Sequence, residues 1–245
     1  MGRSEVILLN NLRTEFRQCA NEKDARVLRQ FFKTAPGQYG EGDIFLGIRV
    51  PVIRKFVKHY YEQISLRETR CLLNSKFHEE RLLGVLILVA KFQKGDDELQ
   101  RLVYEMYLSC SPRVNNWDLV DLSAGQIVGA YLFARDRSPL HALAESDLLW
   151  DRRIAIVSTF YFIRKNEFED TMDISLKLLH DDHDLIHKAV GWMLREVGKR
   201  DQLCEEHFLR KHYRTMPRTM LRYAIERFPE ALRQDYLKGR IGAGS

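Results

Sequence analysis

The chain has 245 residues, of which 45% are hydrophobic, and it carries a net charge of +5. This length and apolar content allow a sizeable packed core and exclude a disordered or collagen-like chain. No apolar run is long enough to cross a membrane, and the basic balance is compatible with a polyanionic partner without requiring one.

Four cysteines are scattered along the chain without the close pairs that hold metal ions. No secretory signal precedes them, so we expect a reduced, cytoplasmic protein with buried thiols and without a metal. The cysteines are Cys19, Cys71, Cys110 and Cys204.

The first part of the chain predicts two helices, within residues 6–34, followed by a loop. The loop Thr34-Ala35-Pro36-Gly37-Gln38-Tyr39-Gly40-Glu41-Gly42-Asp43 contains three glycines and one proline, which end a helix. A plain connector and a functional loop are equally good interpretations of this segment. Pro51 then suits the first turn of a helix over residues 52–61.

From Leu66 onward, helical segments with a polar-then-apolar opening recur at a regular distance. Aligned positions 81, 117, 153 and 188 are separated by 36, 36 and 35 residues, and position 218 follows after 30. This period is close to that of HEAT-type repeats, which have about 40 residues. With six prolines, fourteen glycines and little strand-like alternation, the sequence predicts an all-α protein. We expect a curved superhelical stack of antiparallel HEAT-like helix pairs.

The segment from Asn115 to Tyr131 predicts one helix, started by Asn115 or Asn116 as the cap. Trp117 and Asp121 are four residues apart and therefore share a helix face. A half-buried Trp and a first-turn Asp are common structural features, so this pair alone does not establish a site.

The aligned positions place cations on the same face as this pair. The helix around Trp192 repeats the arrangement, with a basic stripe beside that Trp and an apolar stripe for the core. A basic stripe is usually only solvated, but an exposed Trp within it is unusual. The aligned cations are Arg81, Arg153, Lys188 and Arg218. The stripe contains Lys188, Arg195 and Lys199, and the predicted core residues are Ile186, Val190, Leu194 and Val197.

Four segments together resemble the AlkD family of alkylpurine DNA glycosylases, which are built from HEAT-like repeats. They occur in the family's order and spacing, and the resemblance covers nearly the whole chain. One departure is Asn116, where some members carry another Trp. The segments are Phe45-Leu46-Gly47-Ile48-Arg49-Val50-Pro51, Trp117-Asp118-Leu119-Val120-Asp121, Arg152-Arg153-Ile154-Ala155 and Lys188-Ala189-Val190-Gly191-Trp192-Met193-Leu194-Arg195-Glu196.

The resemblance implies a role for each matching residue. Trp117 and Trp192 would be aromatic walls around the sugar of the damaged nucleotide, Asp121 the catalytic carboxylate and Arg153 a phosphate-binding cation. The family excises cationic bases such as 3-methyladenine and 7-methylguanine and does not need to flip the base. We therefore expect a monofunctional glycosylase acting on alkylated double-stranded DNA without a cofactor. The predicted DNA contacts are Arg153, Lys188, Arg195, Arg81 and Arg218.

The alternative is a non-catalytic HEAT-repeat protein that binds DNA or structured RNA. It would use the same cations but would have no use for a carboxylate among phosphates, which favours the enzyme. We expect one domain over residues 1–240, a flexible tail over 241–245, and a monomer.

Overall fold

A computed structural model of the chain describes residues 3–242. Within this range the chain is helical, and apart from one isolated bridge between Ile44 and Phe77 it contains no β-structure. The chain divides into two compact units, residues 1–123 and 124–245. The predicted all-α class and HEAT-like helix pairs are confirmed. The curvature and the single domain over 1–240 stay predictions.

The first unit is organised around a long helix, α5 (His78–Lys94), which is buried on nearly all sides. Three further helices, α3 (Val50–Tyr60), α4 (Leu66–Leu73) and α6 (Asp97–Ser109), pack against it. This is expected for a helix whose middle, residues 82–89, is apolar around its whole circumference. A short 3₁₀ turn over Ser111–Arg113 leads into the last helix of this unit. The helices are α1 (Arg3–Gln18), α2 (Glu22–Phe31), α3 (Val50–Tyr60), α4 (Leu66–Leu73), α5 (His78–Lys94), α6 (Asp97–Ser109) and α7 (Trp117–Asp121).

Several helix starts in this unit follow the capping rules. Asn21 accepts a hydrogen bond from the backbone N–H of Asp24 at the start of α2. Ser65 and Glu68 form a reciprocal capping box at α4, which satisfies two backbone donors at once. Pro51 lies in the first turn of α3, as the sequence predicts.

The second unit is organised around α13 (Asp184–Gly198), which contacts α10 (Leu149–Ser158), α14 (Gln202–His212) and α15 (Arg218–Ala224). The four residues predicted to form its core stripe, Ile186, Val190, Leu194 and Val197, are fully buried. The helical segments are a π-helical turn (Gly125–Gly129), α8 (Ala130–Leu132), α9 (Ser138–Ala144), α10 (Leu149–Ser158), α11 (Phe160–Ile163), α12 (Glu169–Lys177), α13 (Asp184–Gly198), α14 (Gln202–His212), α15 (Arg218–Ala224), a 3₁₀ turn (Ile225–Arg227) and α16 (Glu230–Leu237).

The single helix predicted over residues 115–131 is wrong, because the helix breaks after Asp121. The Ser123 hydroxyl donates to the carbonyl of Leu119 at 2.6 Å and lies 2.7 Å from the Tyr107 hydroxyl. Such back-bonding by a serine disturbs a helix. Farther on, a side chain at Gly129 would collide with the backbone of Ser158, and the chain there adopts the π-helical turn.

Two smaller predictions need correction. The predicted tail begins too early, since Ile241 is buried and its carbonyl accepts from the Tyr213 hydroxyl; residues 243–245 lie outside the described range. Of the four cysteines, which are all free thiols, only Cys110 is buried.

Candidate functional site

Helix α7 carries the predicted catalytic pair and starts as the sequence predicts. Asn116 is the cap, and its side-chain oxygen accepts from the N–H of Trp117 at 2.8 Å. Trp117 opens the helix and Asp121 ends it, one turn later. Both side chains are partly exposed, so α7 presents an indole and a carboxylate on one face.

Trp117 is held in an aromatic cluster. Its ring stacks on Phe32 with centroids 5.3 Å apart and meets the edge of Phe31 at 5.9 Å. The indole N–H donates to the Tyr39 hydroxyl at 3.3 Å. One face of the indole is therefore covered by the protein, and its orientation is fixed from two sides.

A buried charged network lies beneath the start of α7. His78, the first residue of α5, has 2% of its side chain exposed. Its Nε2 lies 2.9 Å from Asp118 Oδ2, and its Nδ1 lies 3.3 Å from Asp43 Oδ2. Burial alone would lower the pKa of His78, but the Asp118 carboxylate, helped by Asp43, raises the pKa to about 9. His78 is therefore an imidazolium at neutral pH, with both ring nitrogens as donors.

Arg81 completes this network, which corrects its predicted contact with DNA. The residue is only 1% exposed, and its guanidinium donates to Asp43 Oδ1 at 2.5 Å and to the Ser75 carbonyl at 3.1 Å. Asp43 is buried, which would raise the pKa of its carboxyl, but the hydrogen bond from His78 and the charge of Arg81 hold that pKa below its ordinary value. Two carboxylates and two cations thus compensate each other out of reach of a phosphate.

The Phe45–Ile48 segment is fixed by another buried carboxylate. Glu79 accepts from the backbone N–H groups of Leu46, Gly47 and Ile48 at 2.9, 2.8 and 3.3 Å. Gly47 has a φ of +77°, and a side chain there would collide with the carbonyl of Asn21. Only glycine fits this close approach.

A cavity of about 510 Å³ opens beside α7. Its walls are mostly aromatic and aliphatic, and the Asp118 carboxylate, 13% exposed, lies within them. The Asp24 carboxylate, also part of the wall, is paired with Arg49 at 2.8 Å. The remaining walls include Phe31, Phe32, Phe45, Trp117 and Leu122.

The other predicted site residues lie in the second unit. Arg153 is only 4% exposed, and its guanidinium donates to the Leu185 carbonyl. Its predicted phosphate contact is therefore wrong, because the guanidinium is directed into the unit. Trp192 is partly exposed, and its indole N–H donates to Glu196 at 3.1 Å.

Three predicted cations of this unit remain at least partly exposed. Lys188 pairs with Asp184 at 2.6 Å, and Arg195 pairs with Glu226. Arg218 is exposed and donates to the Leu237 carbonyl at 2.8 Å. Within residues 3–242, no cluster of His, Cys, Asp and Glu is arranged to hold a metal ion. In the same range no helix is long and apolar enough to cross a membrane.

Comparison with known proteins decides the family. A family model described as DNA alkylation repair enzyme matches residues 12–228. The chain belongs to the DNA alkylation repair enzyme family. The resemblance to AlkD-type proteins is thereby confirmed, and the family's role is the repair of alkylated DNA.

A solved structure supports the fold of this family member. The protein described as a predicted DNA alkylation repair enzyme from Enterococcus faecalis matches with a TM-score of 0.68 and 16% identity, over 86% of this chain and 97% of that chain. At this identity the likeness establishes the shared fold alone. No curated protein sequence matches the chain.

The sequence did not reveal the role of three residues of this site: His78, Asp43 and Asp118. Four consecutive polar or charged residues at positions 78–81 suggest a solvated helix start, yet all four are buried. One signal was present in the sequence. Asp118 falls in the first turn of the predicted helix, three residues before Asp121 and therefore beside it, and two like charges at this spacing repel each other unless a cation compensates one of them.

Proposed function

We propose that the chain is a monofunctional DNA glycosylase that hydrolyses the N-glycosidic bond of cationic alkylated purines. The substrates would be of the 3-methyladenine and 7-methylguanine type, in duplex DNA and without obligatory base flipping. The observation that carries the proposal is the firmly held helix α7. It presents the Asp121 carboxylate one turn from the Trp117 indole, in a member of a DNA alkylation repair family.

The chemistry of the substrate explains why this pair is sufficient. A cationic alkylated purine leaves without a general acid, and the sugar develops oxocarbenium character as the bond breaks. A nearby carboxylate stabilises that charge and orients the attacking water. The face of an indole ring carries negative quadrupole density and attracts the same charge. A Schiff-base lysine is not needed, so we expect no strand cleavage.

Of the two carboxylates of α7, Asp121 is the one to which the family resemblance gives the catalytic role. Asp118 accepts from the imidazolium of His78 and from the N–H of Leu119. Its charge is therefore largely compensated by the protein. We assign catalysis to Asp121 and a structural role to Asp118.

The proposal retains the other predicted participants with two exceptions. Trp192 is the second aromatic residue, as the family resemblance implies, and exposed cations contact phosphates. The buried Arg81 and Arg153 are withdrawn from this set. The protein would act as a monomer without a cofactor or metal. The proposed phosphate contacts are Lys188, Arg195 and Arg218.

The test is single-turnover release of 7-methylguanine and 3-methyladenine from methylated duplex DNA. Asp121→Asn should lower the rate by about two to three orders of magnitude, the typical loss for one preorganised electrostatic group. The substitution removes a charge that repels phosphates, so DNA affinity should hold or rise. Spontaneous depurination sets the lower limit of the measurable rate.

A matched control is Asp170→Asn. Asp170 is a partly exposed helical Asp, like Asp121, but it belongs to the second unit, pairs with Arg137 and has no assigned role. Release at the wild-type rate by Asp121→Asn would leave Asp121 a structural residue. Duplex binding without any base release by the wild type would favour the non-catalytic nucleic-acid binder.

A further inference from the structure

The loop between α2 and α3, residues 34–43, contacts α7 at two points. Near its middle, the Tyr39 hydroxyl accepts from the indole N–H of Trp117 at 3.3 Å. At its end, Asp43 accepts from the side-chain amide of Asn116 at 3.2 Å. One contact fixes the ring of Trp117, and the other fixes the cap that starts its helix.

The loop is itself held in shape. The N–H of Gly37 donates to the Glu41 carboxylate at 2.8 Å, and the N–H of Gly40 donates to the Lys33 carbonyl at 3.2 Å. A side chain at Gly40 would collide with the carbonyl of Phe32, so the loop lies directly against the end of α2. A loop with internal bonds of this kind transmits position better than a flexible connector.

His78 joins the loop to α7 from below. Its ring lies 4.5 Å from that of Phe45 and 5.1 Å from that of Phe32, measured between centroids. The two nitrogens face Asp43 on the loop and Asp118 in the first turn of α7. A neutral imidazole donates through one nitrogen only, so both bonds require the protonated ring. The other charged group close to this site is Arg81, on the same helix as His78.

We propose that the 34–43 loop and His78 are positioning elements for the catalytic face of α7, setting the orientation of Trp117 and Asp121 without touching the substrate. This inference rests on the proposed function for its effect on rate. The effect of the loop and His78 on the orientation of α7 can be tested without an activity assay. Loop 34–43 is then a functional loop, and its Tyr and Asp are the residues through which it acts.

The first experiment follows the indole N–H signals of the protein by NMR. The Trp117 signal is assigned by its loss in Trp117→Phe. Tyr39→Phe removes the hydroxyl that accepts from this N–H and should shift the Trp117 signal while leaving those of Trp150 and Trp192 in place. His78→Gln should shift the same signal through α7. If neither variant moves the Trp117 signal in folded protein, the positioning role is overturned.

The second experiment measures single-turnover base release and duplex affinity for the same variants. His78→Gln should lower the rate by about tenfold to a hundredfold, the usual cost of misplacing a reacting group, with duplex affinity within about twofold, since no phosphate contact changes. Tyr39→Phe should lower it severalfold. A purely structural role would leave the rate per folded molecule unchanged.

A matched control is His141→Gln in the second unit. His141 lies 3.6 Å from Asp170, as His78 lies beside Asp118, but it is 30% exposed. It should alter neither the Trp117 signal nor the rate. If His78→Gln does not fold, the Trp117 signal and the rate of base release are measured for Asp43→Asn and Tyr39→Phe instead. If the wild type releases no base but the variants still shift the Trp117 signal, the proposed function and the effect on rate are both overturned. If the wild type is active but the variants leave the Trp117 signal in place, the positioning role alone is overturned.

Discussion

Each unit buries an ionisable side chain whose charge would be costly in the interior. The two units avoid this cost in opposite ways. In the first unit, His78 lies between two carboxylates and has its pKa raised to about 9. In the second, Glu205 is 1% exposed, its Oε1 has no hydrogen-bond partner, and its pKa is also raised to about 9. For Glu205 the main cause is burial, reinforced by Glu206 and opposed by Arg195.

The equal pKa values therefore have different meanings. At neutral pH the proton on His78 creates a charge that its neighbours compensate, so the network is intact. The proton on Glu205 removes a charge that the interior of the unit does not compensate. A buried charge is tolerated where partners surround it and is neutralised where they do not. The stability of the first unit thus depends on every member of the His78 network being present. The stability of the second unit depends on the Glu205 carboxyl staying neutral.

The largest effect should come from breaking the network in the first unit. Arg81→Met removes one cation and leaves the buried Asp43 with a reduced set of partners. We expect the free energy of unfolding to fall by about 3–5 kcal/mol, as when one member of a buried ion pair is removed. Urea denaturation at pH 7 measures it.

The control for this variant is Arg218→Met, which changes an exposed arginine of the second unit. It should alter stability by less than about 0.5 kcal/mol. A small loss of stability in Arg81→Met, combined with weaker DNA binding, would contradict the buried network and restore the predicted phosphate contact.

The second largest effect is the pH dependence contributed by His78. Its pKa is raised on folding from 6.5 to about 9, so the native state keeps a proton that the unfolded chain loses in this window. The stabilisation is complete below pH 6.5 and is lost as the pH rises through about 9. At about 1.4 kcal/mol per pKa unit, the total loss reaches about 3 kcal/mol. Denaturation midpoints of wild type and His78→Gln between pH 6 and 10 test this, since the variant should lack most of the slope.

Glu205 contributes a pH dependence over a wider window, and its substitution should change stability by less than the two substitutions above. Its pKa is raised from 4.5 to about 9, so stability again falls as the pH rises, but the fall begins near pH 4.5. Glu205→Gln removes the cost of holding the proton and should gain about 1 kcal/mol at pH 8, because the buried amide keeps part of the desolvation cost.

The comparison between pH 5 and pH 8 distinguishes the two units. Of these two groups, only Glu205 contributes a falling slope between pH 4.5 and 6.5, before His78 of the unfolded chain titrates. Thermal melts of Glu205→Gln should therefore show a gain at pH 8 that shrinks at pH 5. The same loss of stability at both values would mean that native Glu205 is ionised.

The smallest effect concerns an exposed charge, in contrast to both buried groups. Lys188 is 36% exposed and paired with Asp184. Lys188→Ala should leave stability within about 0.5 kcal/mol. It should weaken duplex binding a few-fold and reduce the slope of log affinity against log salt by about 1. An unchanged slope would remove Lys188 from the proposed phosphate contacts.

The sequence was sufficient for features that depend on local spacing. The apolar stripe of α13, a cap at Asn115 or Asn116 and the turn of helix between Trp117 and Asp121 all follow from helix periodicity and side-chain chemistry. The repeat spacing placed five helix openings correctly, from α5 to α15. The first three of these features are determined by residues within one or two turns of each other, and the repeat spacing follows from the recurrence of one local pattern.

The features that the sequence could not give depend on distant partners. Arg81 donates to Asp43, from which it is separated by 38 residues in the sequence. Arg153 donates to the carbonyl of Leu185, at a separation of 32 residues. An arginine at a helix start is normally exposed, and no local pattern indicates that a carboxylate or carbonyl will meet it in the interior. The break after Asp121 depends similarly on Tyr107, which contacts Ser123 from α6.

The three N–H groups that converge on Glu79 have a consequence for ligand binding. Successive backbone donors around a left-handed glycine form an anion nest, the arrangement that holds phosphate in many proteins. Here the nest is occupied by the chain's own carboxylate, so this segment is closed to the phosphates of a nucleic acid. The nest therefore does not compete with the exposed cations of the protein for the phosphates of a nucleic acid. Glu79→Ala would empty it and create a site for inorganic phosphate or sulfate where the native protein has none.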